Sequence, residues 1–424
     1  MSDVTALPSS PEPDWAAFVA IDWADQKHCW KLCAAGSGKY EDGTMENTPE
    51  VLVDWATKLR DRFGGRPIAV GLEQSRGPLV YALGKFPHLI LYPIHSTTAA
   101  RYREAFFPSG SKDDPVDTEL LLEILLHHRD RLRRLDPDTV ETRLLQMLVE
   151  ERRKLVDERT RLSNQLTAWL KTYFPQALDL VDKIISPMAC DLLERWPSLE
   201  QLKGANPSKL NQFFVQHNCR SEKRIQERID AIYKATPAVE DAALLEAGPL
   251  TVKMLVKMIQ TLNLAIDVFD QRIEVVSSTH AEAGLFNHVP GAGPALRPRL
   301  IVAFGTRRER FTSASDIQEY SGIAPVTKQS GHSHSAHFRR ACPKFLRQTF
   351  HEHAAHSIPK CAWAKAYYQH LRAMGVDHHA AVRSLAFKWI RVLYACWRDG
   401  KPYDEAVYTQ ALEKRHSPLA KLLS

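Results

Sequence analysis

The stretches Phe18-Val19-Ala20-Ile21-Asp22 and Ile68-Ala69-Val70-Gly71-Leu72-Glu73 decide how this chain folds. Each is a short apolar run closed by a carboxylate, the pattern of a buried strand ending in an acid. A third run, Leu89-Ile90-Leu91-Tyr92, precedes Lys112-Asp113-Asp114-Pro115-Val116-Asp117. Proline at a first helical position puts Asp114 at an N-cap and Asp117 one turn later on a similar face. Each acid also has an ordinary reading, Asp22 and Glu73 as solvated strand ends, Asp114 and Asp117 as a common helix start. Brought together, four carboxylates would repel one another unless a cation lay between them. Such oxygen ligands suit Mg²⁺, with Mn²⁺ an alternative, and sites of that kind perform phosphoryl transfer.

Around these runs, residues 15–135 alternate strands with helices. Trp23 to Lys27 is a turn into a second strand, His28 to Ala34, pairing antiparallel with the first. Thr48-Pro49 opens a helix with Leu52, Trp55, Ala56 and Leu59 on one face, and Gly77-Pro78 opens another. The expectation is an α/β domain with a mixed sheet. Residues 1–14, acidic and rich in Pro and Ser, read as a disordered lead-in and not a signal peptide.

From Asp138 to Phe174 the pattern changes. Leu148, Leu155, Leu162 and Trp169 recur every seven residues, with Leu145 and Leu166 on companion positions that Arg152 and Arg159 interrupt. Either a coiled-coil seam or a helix packed inside a helical domain gives this pattern. Residues 136–283 are expected to be helical throughout, with Gln226–Tyr233 and Thr251–Val276 amphipathic and the latter long enough to return along the first helix.

Residues 284–424 form the third region. His288 to Pro294 is a tight turn before an apolar helix, either a hairpin presenting backbone amides to phosphate or an ordinary helix connection. Ser330 stands before Gly331 in a polar loop leading to His332, His334, His337, Arg339, Arg340, Lys344 and Arg347. A serine hydroxyl becomes a nucleophile only when a base or metal weakens its hold on the proton, and a phosphate target needs cations beside it. His351-Glu352-His353-Ala354-Ala355-His356 fails the H-E-x-x-H zinc pattern, because Ala355 stands where the second histidine belongs; it reads as a polar or phosphate-facing helix surface. The later cations, Arg383 and Lys388 among them, are interleaved with Phe338, Trp363, Tyr367 and Tyr368, a mixture that suits phosphate contact and base stacking. Trp389, Leu393 and Trp397, at helical spacing, read as core.

The 424 residues allow two or three domains. The net charge of +6 is mild support for an anionic partner. No apolar run approaches the length of a membrane span, and the seven scattered cysteines contain no C-x-x-C pair, which argues for reduced thiols in a cytoplasmic protein and against structural zinc.

Taken in order, these features resemble the DEDD transposases of bacterial insertion sequences, bridge-RNA-guided serine recombinases. The resemblance rests on Ala20-Ile21-Asp22-Trp23, Gly71-Leu72-Glu73, Lys112-x-Asp114-x-x-Asp117, Pro290-Gly291-Ala292-Gly293, Arg310-Phe311, Tyr320 to Pro325, Ser330-Gly331, and the tail segments Trp363 to Tyr368 and Trp397 to Tyr403. It implies an RNase H-like (RuvC-like) first domain holding Mg²⁺ through Asp22, Glu73, Asp114 and Asp117, then a coiled coil joining protomers. It further implies a mainly α C-terminal transposase domain with Ser330 as nucleophile. Lys112, Arg339, Arg340, Lys344 and Arg347 would contact nucleic acid. The implied partners are element-end and target DNA, a structured guide RNA, and further copies of the chain in a dimer or tetramer with a composite site. Asp113 and the histidines at 332, 334 and 337 depart from the family pattern. Two rival functions remain: a two-metal junction nuclease in which water attacks, and a non-catalytic nucleic-acid-binding protein.

Overall fold

The computed structural model describes residues 13–106, 114–330 and 333–423, the side chains of residues 114, 115, 333 and 334 excepted. The chain divides into two compact units that meet between Pro137 and Asp138.

In the first unit, β1 (Ala17–Asp22), β2 (Lys27–Ala34) and β3 (Tyr40–Glu46) form an antiparallel meander, followed by α1 (Pro49–Arg62), β4 (Ile68–Leu72), α2 (Pro78–Leu83), β5 (Leu89–Pro93), α3 (Ser96–Phe106) and α4 (Asp114–His128). The sheet order is β3-β2-β1-β4-β5. β1 and β4 are parallel neighbours, as are β4 and β5. Side chains alternate across a strand. Ala17, Val19, Ile21, Ile68, Val70 and Leu72 therefore pack against Leu52, Trp55 and Leu59 of α1 and Leu79 and Leu83 of α2. The opposite face, carrying Ala20 and Ala69, is covered by Leu120, Leu121, Ile124 and Leu125 of α4. Burial on both faces explains why β1, β4 and β5 read as unbroken apolar runs.

The second unit opens with α5 (Val140–Tyr173), which packs along α11 (Ala242–Thr279). Between them lie α6 (Gln176–Leu180), α7 (Pro187–Arg195), α8 (Leu199–Lys203), α9 (Pro207–Gln216) and α10 (Glu222–Lys234). The two long helices run in opposite directions, since Arg152 pairs with Asp270 and Arg159 donates to Asn263 at 2.9 Å. Those are the two arginines that interrupt the apolar row, and they mark a polar waist between two cores. One core gathers Leu162, Leu166 and Leu170 with Val252, Val256 and Ile259. The other gathers Leu145 and Val149 with Ile273 and the C-terminal helices. The buried row thus includes Val149 and Leu170, while Leu148 and Trp169 of the heptad row are only partly buried.

The C-terminal part consists of α12 (Ala283–Phe286), α13 (Arg297–Phe304), α14 (Ala314–Tyr320), the hairpin β6 (Val326–Ser330) and β7 (Ser333–His337), then α15 (Lys344–Ser357), α16 (Ala362–Ala373), α17 (His378–Asp399) and α18 (Glu405–Lys414). Trp363, Trp389, Leu393 and Trp397 are fully buried. Among the described residues no helix is long and apolar enough to cross a membrane, and all seven cysteines are free thiols.

Candidate phosphoryl-transfer site

The register between β1 and β4 pairs Ile21 with Leu72. Asp22 and Glu73 follow these residues, so they stand side by side at the carboxyl ends of neighbouring parallel strands, about 5 Å apart along the hydrogen-bonding direction. Both fall on the parity of Ala20 and Gly71, the face that α4 covers. The helix lies close here: a Cβ on Gly71 would meet Ile94 Cδ1 at a tight 3.2 Å and the carbonyl oxygen of Leu121 at 3.6 Å, an ordinary contact.

The direction of α4 follows from its neighbours. Leu125 clusters with Trp15 and Ala69, near the strands' amino ends, whereas the Leu121 carbonyl lies over Gly71. One further turn back places Asp117 level with Glu73. Lys31 Nζ, on the strand beside β1, pairs with Glu119 Oε2 at 2.6 Å and pins this same turn. The first turn of α4, with both of its acids, therefore sits at the end of the sheet that carries Asp22 and Glu73.

The four carboxylates are not equivalent. Glu73 is exposed and Asp22 half-buried. Asp117 Oδ1 is engaged by Arg103 Nη2 of α3, in an ion pair with both side chains largely shielded. Asp114 opens α4 instead of preceding it as a cap, and Lys112 lies outside the described residues. Among the described residues, no three His, Cys, Asp or Glu side chains are grouped to hold a metal ion. Two adjacent carboxylate oxygens do fit a hard cation. To join them, the Asp117 carboxylate would have to offer its other oxygen or release Arg103, a residue that sequence reasoning passed over.

Ser330 is the last residue of β6, exposed and paired in register with Ser333, so it sits at the tip end of a hairpin and not in an open loop. Arg339 follows the hairpin and donates to the Ala324 carbonyl at 3.4 Å. Arg347 donates to the Arg339 carbonyl at 3.3 Å and to Cys342 Sγ at 3.3 Å. Arg340 and Lys344 are exposed. Gly322, at φ +73°, turns the chain into this region, where a Cβ would strike Cys342 Sγ.

The segment 351–356 is not a polar surface. His353 is fully buried; its Nε2 bonds to the Pro290 carbonyl at 3.2 Å and its ring packs against Trp389. Burial pushes its pKa down to about 4, the bond to Pro290 opposing. Glu352 accepts from Arg299 Nη1 at 2.5 Å and Arg153 Nη1 at 3.1 Å, tying α15 to α13 and α5. The turn at Pro290 to Gly293 is built by packing: Gly291 has φ +82°, and a Cβ there would lie 2.6 Å from the Ser357 amide nitrogen.

Two family models, both described as transposase, match the two regions just described. One spans residues 19–175 and so includes Asp22, Glu73, Asp114 and Asp117. The other, for the IS116/IS110/IS902 family, spans 283–369 and includes Ser330, Arg339, Arg340, Lys344 and Arg347. The chain belongs to this IS110-type family of DEDD transposases. It is 26% identical to the mini-circle putative transposase for IS117 of Streptomyces coelicolor, over 93% of this chain and 97% of that protein. It is 24% identical to the insertion element IS110 protein of the same organism, over 92% and 96%. Identity to the insertion element IS900 protein of Mycobacterium paratuberculosis is 26%, over 85% and 86%.

Proposed function

We propose that the protein is a DNA transposase that excises and inserts its own element by phosphoryl transfer in the bacterial cytoplasm. The observation that carries this reading is the placing of Asp22, Glu73 and the first turn of α4 at one end of one sheet. The strand order, with an antiparallel three-stranded meander followed by two parallel strands, supports an RNase H-type (RuvC-like) domain across 15–135. Asp22, Glu73, Asp114 and Asp117 would hold Mg²⁺ or Mn²⁺, with Asp117 offering its other oxygen or releasing Arg103. Bound there, the cation would supply Lewis-acid polarisation of a scissile phosphate.

In residues 284–424, Ser330 Oγ would attack phosphorus. One phosphorus–oxygen bond forms and one breaks, the serine proton ends on the departing oxygen of the strand, and the bond energy is kept in a phosphoserine link for strand exchange. Arg339, Arg340, Lys344 and Arg347 would hold the backbone, and Lys112 would do so near the acids. Base pairing with an element-encoded RNA would choose the target. The long helices of 136–283 would serve as a coiled coil joining protomers into a dimer or tetramer.

The test is cleavage of element-end DNA in the presence of candidate flanking RNA, titrated with Mg²⁺. Asp22→Asn and Glu73→Gln should each abolish cleavage at every Mg²⁺ concentration and leave DNA binding in EDTA within about two-fold of wild type, since neither acid is placed against DNA by charge. Cleavage by Asp22→Asn at the wild-type rate would remove the acids from the chemistry.

A further inference from the structure

At the foot of the β6–β7 hairpin, Phe338 is 42% exposed although its neighbours are arranged around it. The Arg347 guanidinium lies 4.6 Å from its ring centroid and that of Arg383 lies 4.7 Å away. Such contacts hold a cation in place by the ring's quadrupole. Among the described residues, neither arginine is ion-paired with a carboxylate. Arg347 spends one nitrogen on the Arg339 carbonyl and Cys342 Sγ, and Arg383 has no such anchor. A pocket of about 180 Å³ opens beside them, lined by Gly322, Pro325, Ala336, His337, Phe338 and Arg383. His351, next to Arg383, is pushed below the ordinary histidine value by burial and then by His379, Arg383 and His378. Arg347 and Arg383 therefore stand on one ring without a carboxylate of their own, while the neighbouring Arg339 is paired with Glu319 at 3.5 Å.

We infer that Phe338, Arg347 and Arg383 form a seat for one backbone phosphodiester of the DNA strand, away from the phosphate that reacts. This rests on the reading of Ser330 as the attacking residue only for where along the strand the seat falls. The hairpin register runs from Val326↔His337 at the foot to Ser330↔Ser333, a distance of about 14 Å at roughly 3.4 Å per residue. Phe338 acts as a positioning residue, holding two guanidiniums that would otherwise repel each other.

The experiment is a cycle between protein and DNA. Full-length protein is bound to element-end DNA in EDTA, with a single methylphosphonate, which removes one phosphate charge, moved along the strand one position at a time. Wild type should lose about ten-fold in affinity at each contacted phosphate, and at one of these positions Arg383→Gln should lose little further while losing affinity on unmodified DNA. The slope of log K against log salt should fall by about 0.7 to 0.9 in Arg383→Gln, the loss of one phosphate contact. Phe338→Leu keeps both charges, so binding should weaken with the slope nearly intact. Lys401→Gln, an exposed cation elsewhere, should behave as wild type, and thermal unfolding of each variant checks that it folds. Arg383 coupled to no methylphosphonate position, coupling seen only with an RNA strand, or a Lys401→Gln loss as large as that of Arg383→Gln would each overturn the seat. Mapping a serine adduct on the same DNA is a separate readout. If no adduct forms, the nucleophile assignment fails while the coupled position still stands.

Discussion

Removing Glu352 should destabilise the second unit more than removing its partners along with it. Arg299 is buried, and its pKa is held down by burial against the pull of Glu352. Its Nη1 bonds Glu352 at 2.5 Å, its Nε bonds Thr349 at 3.0 Å, and its Nη2 is already buried without a partner. Arg153, a quarter exposed, shares the same carboxylate. Glu352→Ala leaves the buried Arg299 without a carboxylate and facing Arg153, which keeps only its pair with Asp157 at 2.7 Å. Breaking a buried pair costs about 3–5 kcal/mol. Because Glu352 is itself 30% exposed and water can enter, the lower end applies, about 3 kcal/mol. For a unit of this size that lowers the melting temperature by about 6 °C. Glu352→Gln keeps an acceptor and should lose about half as much. The pair of changes Arg299→Met and Glu352→Leu removes both charges and should cost less than Glu352→Ala alone. Chemical denaturation of the four proteins decides it. A Glu352→Ala protein within about 0.5 kcal/mol of wild type, or a double variant worse than the single, would refute the reasoning.

Two further outcomes follow from buried groups near the same helix. His353 has a folded pKa of about 4 against an unfolded value of about 6.5. The unfolded chain therefore binds more protons between those values, and stability falls as pH drops through this window, by about 3 kcal/mol in all. His353→Leu should flatten the dependence of unfolding free energy between pH 4 and 6.5, measured by urea titration. An unchanged slope would assign the acid sensitivity to other groups. Gly291→Ala combines a left-handed backbone with a clash against the Ser357 amide and should cost about 3 kcal/mol. Gly293→Ala, with nothing within 4 Å of its added carbon, should change stability by less than about 0.5 kcal/mol. Equal thermal shifts for the two glycines would contradict the packing account of that turn.

How far the sequence reveals this structure depends on what each element buries. β1, β4 and β5 are legible because both faces are covered, which leaves runs of Val, Ile, Leu and Ala. β3, with the sequence YEDGTME, is an edge strand with a single buried residue, Met45, and nothing in its pattern separates it from a loop. α11 is expected only from Thr251. The helix instead begins at Ala242, and Gly248 is the point where the Tyr173 ring packs against its backbone, 2.7 Å from where a Cβ would be. Arg152 and Arg159 look like flaws in a seam until Asp270 and Asn263 are found opposite. Those partners are more than a hundred residues away, and spacing within one helix carries no trace of them.

The candidate sites divide the same way. Asp22 and Glu73 announce themselves because an acid ends each apolar run. The hold of Arg103 on Asp117, and the meeting of Phe338 with Arg383, depend on how separate elements pack. The interleaving of cations with aromatics signalled nucleic acid but could not single out which ring stays exposed. For His351 to His356, the letters suggested a polar face. His353 is buried because α15 places it against Trp389 and beneath the Pro290 carbonyl.

The measurement that bears most directly on the central claim is the capture of protein on DNA. Purified protein is incubated with element-end DNA, candidate flanking RNA and Mg²⁺, and the products are run under denaturing conditions beside those of Ser330→Ala. The account predicts a denaturation-resistant protein–DNA species with wild type and none with Ser330→Ala, whose DNA binding is retained. Cleavage by wild type with no such species would contradict it, placing water where Ser330 is proposed to attack.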